Sequence, residues 1–343
     1  MLPRLIVATR NRPKKVAAYL AYLARFYPGT DLVIADGSDP ELQGQVEQAC
    51  ANAGPDVRVA FRAYPADLPL FERLLDLMLS LDDPVMVMGA DDDYPLMDVF
   101  GKAAEILVRD PELAIVVPYA VVLRQASEDS LKARLTQTRE VADQTAAARL
   151  NAFSRWTFHT SYGAARRETL VMRYRSLVQA YCAGFVDFQI GAEDCLSGRV
   201  GGMAELGSLR THSYLGSYLR PEDKLIMLRR SAQVLAIADR LTERLSQVDG
   251  IAPEAAREVV DAAMLCRISE LSGAGPLTRV GFTGQKMFGD GLVQAQYAQF
   301  YDLFREGTEM RQRHQEKLSY VKGLLFSGDT MDISKVQGDY ETL

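Results

Sequence analysis

The stretch PVMVMGADDDYPLM, residues 84–97, decides the reading of this chain. An apolar run ends abruptly in Asp91, Asp92 and Asp93. Three like charges this close repel one another and resist desolvation. A bound cation would offset that cost, and so would plain exposure to water. PVMVMGA (84–90) has the length and composition of a strand, and PLMDVFGKAAEILVRD (95–110) has the spacing of a helix.

Working outward, the same alternation fills the first 120 residues. RLIVAT (4–9), DLVIAD (31–36), VRVAFRA (57–63) and LAIVVPY (113–119) read as further strands. KKVAAYLAYLARFY (14–27), ELQGQVEQACANAG (41–54) and LPLFERLLDLMLSL (68–81) read as the helices between them. Short apolar strands separated by single helices predict a parallel sheet covered on both faces, a Rossmann-like α/β layer. Chemistry in such sheets gathers beyond the carboxyl ends of the strands. Three polar loops fall there: Thr9–Pro13, Asp36–Asp39 and Asp91–Asp93. No G-x-G-x-x-G follows the first strand and no G-x-x-x-x-G-K-[ST] closes any strand, which disfavours dinucleotide dehydrogenases and P-loop enzymes.

The middle is less regular. Residues 127–153 read as a polar insertion turning helical, and 155–175 as an aromatic strand-like piece, a turn at Gly163 and a helix. Residues 186–214 supply a second acidic pair, Glu193 and Asp194, then a short strand and His212. From Pro221 the pattern is helical, through 221–248, 252–271 and 294–326, and it ends in a polar tail. The expected division is a nucleotide-binding and catalytic unit over 1–218, a mainly helical region over 219–326 and a tail over 327–343.

The 343 residues allow a large core, and 48% apolar with 24% charged residues is ordinary for a soluble globular chain. A net charge of −6 gives no general reason to bind nucleic acid. Cys50, Cys182, Cys195 and Cys266 match no zinc or redox spacing and read as reduced thiols of a cytoplasmic protein. The longest apolar stretch, 113–123, is far below the roughly 20 residues of a membrane helix, so no transmembrane segment is expected. Peripheral contact with the inner face of a membrane stays open.

The opening LIVATRNRP…DLVIADGSD resembles that of the GT-A glycosyltransferases related to family 2. GADDDY is similar to their metal-binding DxD motif, and GAEDCL to their later acidic motif. The separation of 101 residues from Asp93 to Asp194 suits that group, and the likeness spans roughly residues 4–214. The Q/R-x-x-R-W pattern of processive synthases does not follow the acidic pair, which argues against a cellulose or hyaluronan type.

The resemblance implies a metal-dependent transfer of sugar from a UDP- or GDP-sugar to a glycan, lipid-linked or protein hydroxyl. Thr9, Arg10, Asn11, Arg12 and Asp36 would hold the nucleoside and diphosphate, with Asp91 or Asp92 reaching the ribose. Asp93, helped by Asp91 and His212, would bind Mn²⁺ or Mg²⁺. Asp194 would be the general base of an inverting reaction, with Glu193 as its alternative. Trp156, His159 and Tyr162 would border the acceptor. Each residue also has a bland reading. Asp36 suits a turn, the aspartate triplet suits a helix start, Glu193 and Asp194 suit a helix N-terminus, and a lone tryptophan suits a core. Two other functions stay open: a nucleotidyltransferase, which normally carries a glycine-rich loop that ATRNRP lacks, and a non-catalytic binding module. The C-terminal helices fall outside the resemblance; they could wall the acceptor or form a homo-oligomer.

Overall fold

The computed structural model describes residues 2–125, 131–155, 157–211, 231–272, 291–326 and 341–342. The chain begins β1 (Arg4–Thr9), α1 (Pro13–Phe26), β2 (Thr30–Asp36), α2 (Pro40–Ala51), β3 (Val57–Ala63), α3 (Leu70–Ser80) and β4 (Val85–Ala90). Then come β5 (Asp93–Pro95), α4 (Met97–Arg109), β6 (Leu113–Gln125), β7 (Leu131–Thr136), α5 (Ala146–Ser154), β8 (Ala164–Arg166) and α6 (Arg167–Gln179). A single 3₁₀ turn, Ala183–Phe185, leads into α7 (Val186–Ser197) and β9 (Arg199–Thr211). Among the described residues four helices follow: α8 (Ser231–Asp249), α9 (Pro253–Ser272), α10 (Gly291–Phe304) and α11 (Glu309–Phe326). A two-residue strand, β10 (Glu341–Thr342), pairs with β7.

The result is a mixed α/β sheet flanked by helices and followed by a helical run. β3, β2, β1 and β4 lie side by side and parallel, as the alternation predicts. Beyond β4 the sheet changes direction. β8 sits between β4 and β6 and runs antiparallel to both. β7 is antiparallel to β6, while β9 runs parallel to it along the opposite edge. The sequence of β8, Ala-Ala-Arg, is too short and too bland to carry a period. β7 falls in the insertion read as helical. Its residues Leu131, Ala133 and Leu135 alternate with charged Lys132 and Arg134, which is a strand period.

Two apolar layers cover the sheet. Leu20, Leu23, Phe100 and Leu107 from α1 and α4 pack in one layer with Phe300, Leu318 and Leu325 from α10 and α11. Leu77, Phe153, Leu177 and Phe188 pack in the other with Ile237, Leu241 and Val260 from α8 and α9. Each such side chain, fully buried, contributes roughly 1.5–3 kcal/mol. The C-terminal helices therefore belong to both cores of the sheet. Two polar clamps fix them further. Asp249, ending α8, accepts from the amides of Ala146 and Ala147 at 2.9 and 2.8 Å, capping α5 from across the fold. Gln296 is fully buried and bonds Thr138 and the Met203 carbonyl. Gly307, at φ +81°, breaks the long C-terminal helix expected over 294–326 into α10 and α11. No described helix is long and apolar enough to cross a membrane.

Candidate functional site

The carboxyl ends of β1, β2 and β4 meet at one edge of the sheet. In register, Thr9 lies beside Asp36, and Ala8 beside Ala90. The Gly37 amide donates to the Thr9 carbonyl at 3.1 Å. The Thr9 hydroxyl donates to Asp91 at 2.6 Å. Asn11 is the one non-glycine among the described residues with positive φ, at 58°. Its strained backbone is held by bonds to Ser38 and Asp39, so the first loop is strapped to the second. Arg10 reaches Asp39 at 3.6 Å.

The three aspartates occupy three different environments. Asp91 is 1% exposed and takes bonds from Thr9 and from Arg12, at 2.8 Å. Asp92 accepts from Lys15 at 3.1 Å and Arg12 at 3.3 Å. Its carbonyl accepts from the amide and hydroxyl of Thr211, which ties the turn to the end of β9. Asp93 opens β5 and pairs in register with Arg210. The Arg210 guanidinium stands 3.9 Å from the Asp93 carboxylate and lies over the Tyr162 ring, 4.3 Å from its centroid. Burial pushes the Asp93 carboxyl up to about 7; Arg210 opposes this, Asp92 and Asp91 add to it, and a bond from Tyr162 opposes it.

This answers the question the triplet poses. Asp91 and Asp92 have cationic partners within the chain, while the negative charge of Asp93 is the least compensated. Among the described residues no group of three or more His, Cys, Asp or Glu is gathered around a metal position. Mg²⁺ and Mn²⁺ do not require one, because one or two carboxylates together with substrate phosphates and water complete their shell. Asp93 fits that single-carboxylate role; Asp91, enclosed by Thr9 and Arg12, does not. His212 lies outside the described residues, as does Trp156.

At the β2 end, Asp36 is fully buried. Its Oδ1 accepts from the amide and hydroxyl of Ser38, while Oδ2 has no hydrogen-bond partner among the described residues. Burial raises its carboxyl, against the pull of Ser38 and Arg73. Arg73 comes from the inward face of α3, 4% exposed, and donates to the Thr9 carbonyl. Its guanidinium lies so close over Gly37 that a Cβ there would sit 2.1 Å from Nη1. The Nε of Arg73 also lacks a partner. Gly37, itself buried, leaves room for the Arg73 guanidinium to pack on the backbone beside Asp36.

Glu193 and Asp194 lie elsewhere. α7 is buried on nearly every side, and both residues fall in its second half, fully buried. Arg173, 1% exposed, donates from Nε to Asp194 Oδ1 and from Nη2 to both carboxylate oxygens, and the Thr160 hydroxyl donates to Oδ2. Arg173 also reaches the Ser161 carbonyl. Asp194 therefore braces the 160–161 loop from beneath. Glu193 faces Ser176 and, from α8, Arg240 and Arg244. Neither carboxylate has surface to offer a substrate.

The exposed acid of α7 is Asp187, in its first turn. Its carboxylate stands 3.6 Å from Nδ1 of His159 and is 46% exposed. Burial alone would raise its carboxyl, but His159, Arg267 and Arg210 together hold it below the usual range. The field of Asp187 also reaches Tyr162, which neighbours Asp93. His159 and Tyr162 thus gather here. Arg166 and Arg167 cap helix ends. Arg166 donates to the carbonyls of Leu107, Asp110 and Leu113, and Arg167 to those of Leu79 and Leu81.

Sequence reasoning missed Lys15, Arg73 and Asp187. Lys15 lies three residues after Arg12, on one face of the first turn of α1. Arg73 interrupts the buried stripe of Leu74, Leu77 and Met78. Asp187 is the acid that opens α7.

No protein-family model matches the sequence, and no curated protein does. Solved structures do share its shape. The 1–349 portion of S. aureus TarS in complex with UDP-GlcNAc superposes with a TM-score of 0.50 at 14% identity, covering 96% of this chain and 90% of that one. Mannosyltransferase PcManGT from Pyrobaculum calidifontis, in complex with GDP-Man and Mn²⁺, gives 0.41 at 15% identity over 94% and 86%. Glucosyl-3-phosphoglycerate synthase from Mycobacterium tuberculosis gives 0.36 at 14% identity over 73% and 81%. The first of these likenesses shows a shared fold.

Proposed function

We propose that this chain is a GT-A-type glycosyltransferase that moves a sugar from a nucleoside-diphosphate sugar to a hydroxyl acceptor with inversion. The observation that carries this reading is the convergence, at one sheet edge, of two strapped loops and a cation-lined aspartate turn, with the exposed Asp187 carboxylate linked to it through Arg210 and Tyr162. The nucleoside lies on the outer face of the β1 and β2 loops, where Arg10, Asn11 and Asp39 are exposed, and the buried Asp36 and Arg73 hold those loops from beneath. Arg12 and Lys15 face the diphosphate. Asp93 is the protein ligand for Mn²⁺ or Mg²⁺, which when bound neutralises charge on the leaving diphosphate. The TarS structure of like fold holds UDP-GlcNAc, which agrees with a uridine donor.

In this reading Asp187 replaces Asp194 as the general base. Its carboxylate takes the acceptor O–H proton as that oxygen bonds to the anomeric carbon. The bond from that carbon to the phosphate oxygen breaks, and its electron pair leaves on the nucleoside diphosphate. His159 orients Asp187. The helix N-terminus keeps Asp187 ionised. Tyr162, its phenol held protonated beside Asp93, lines the acceptor side.

The test is Mn²⁺-dependent release of nucleoside diphosphate from a panel of UDP- and GDP-sugars. UDP released from a UDP-sugar, and lost in Asp187→Asn, supports the reading. Pyrophosphate released from a nucleoside triphosphate would favour a nucleotidyltransferase instead.

A further inference from the structure

The C-terminal region reaches the candidate base. The inward stripe of α9 runs through Ala256, Val260, Ala263 and Met264, all buried in the layer that also holds Phe188 and Ile190 of α7. Continuing the same stripe by three or four residues brings Arg267. Its Nη2 donates to the Gly184 carbonyl at 3.4 Å. Gly184 lies in the 3₁₀ turn that sets the start of α7. The guanidinium therefore stands where an apolar helix face ends and the first turn of α7 begins, with Asp187 within its field.

We infer that Arg267 is a positioning residue for the proposed transfer: it fixes the turn before α7 and, through charge, the Asp187 carboxylate. This rests on the reading of Asp187 as the base. Among the described residues the cationic groups facing that carboxylate are His159 from the 157–163 loop, Arg267 from α9 and Arg210 from β9. Arg210 is also engaged with Asp93 and Tyr162, and His159 contributes charge only when protonated. Arg267 is the permanent cation brought by the C-terminal helices. The α8–α9 hairpin then does more than cover the sheet: it completes the acceptor side of the site. Asp249, which caps α5 from the same hairpin, holds the hairpin in place.

The bland alternative is that Arg267 only anchors the Gly184 carbonyl and stabilises the fold. The two separate in kinetics. Full-length wild type, Arg267→Gln, Arg267→Lys and Asp187→Asn are compared for Mn²⁺-dependent hydrolysis of the UDP-sugar that wild type turns over fastest. Melting temperature is followed alongside. The inference expects Arg267→Gln to lower kcat at least tenfold with the donor KM within twofold, and Arg267→Lys to restore much of that loss. Abolished turnover in Asp187→Asn with unchanged kcat in Arg267→Gln would overturn the role of Arg267 alone. Near-normal turnover in Asp187→Asn would instead remove the base reading on which it stands. A melting temperature lowered in Arg267→Gln with kcat intact would leave only the structural role.

Discussion

Replacing Asp194 by asparagine separates a brace from a base. Asp194 has no exposed surface, and Arg173 beside it is 1% exposed with two nitrogens committed to its carboxylate. Breaking such a buried pair costs about 3–5 kcal/mol, because the surviving charge is left without compensation. Asparagine keeps the shape and still accepts from Thr160, so the lower end, about 3 kcal/mol, is expected. With an unfolding entropy of about 2.1 cal/mol/K per residue, a chain of this length gains roughly 0.7 kcal/mol/K, and the melting temperature drops by about 4 °C. Calorimetry of Asp194→Asn and Asp187→Asn side by side reads this. Asp194→Asn should melt earlier, with donor affinity falling only as far as the 160–161 loop loosens. Asp187→Asn should melt as wild type does and lose turnover. An Asp194→Asn protein that melts within 1 °C of wild type yet has no turnover would refute the reasoning and return the base to Asp194.

Other consequences follow from single contacts. Gly37→Ala places a methyl 2.1 Å from the Arg73 guanidinium, so the β1 and β2 loops should shift and UDP affinity should fall at least tenfold by titration calorimetry; unchanged affinity would contradict the placement of the nucleoside on those loops. His314 in α11 is buried, and burial together with Lys317 and Arg313, against Asp98, pushes it down to about 4. The folded state then refuses a proton that the unfolded chain accepts below about 6.5. Stability is full above that pH and falls by about 3 kcal/mol as pH drops to about 4. Urea titrations of wild type and His314→Asn across that window should show a shallower fall in the variant, and parallel slopes would sink the assignment. Asp249→Ala removes the acceptors for two amides of α5 and should cost about 1–2 kcal/mol in denaturant unfolding; no loss would mean the hairpin is held by packing alone.

The first half of the fold was legible because its strands and helices are long enough to show their periods. Strands 4–9 and 57–63 appear with the expected ends, and helices α1 to α4 within a few residues of theirs. The convergence of Thr9, Asp36 and Asp91 followed from topology alone, since parallel strands send their carboxyl ends to one edge. The acidic pair was harder. α7 is buried on nearly every side, so its polar residues mark no exposed face, and nothing local says that Glu193 and Asp194 point inward. That fact comes from Arg173, 21 residues earlier in sequence and opposite in charge. The same limit hid Arg73, whose partners lie on β1 and β2, and Arg267, which meets Gly184 across 83 residues of chain. Charge clusters were visible in the sequence; which of them are already neutralised was not, because neutralisation is a tertiary property.

The most direct test is calorimetric titration of UDP into the full-length protein with and without Mn²⁺, repeated on Asp93→Ala. The account predicts that Mn²⁺ tightens UDP binding to wild type. In the variant the Mn²⁺-free affinity should be kept and the metal effect lost. UDP binding that Mn²⁺ strengthens equally in both proteins would contradict it.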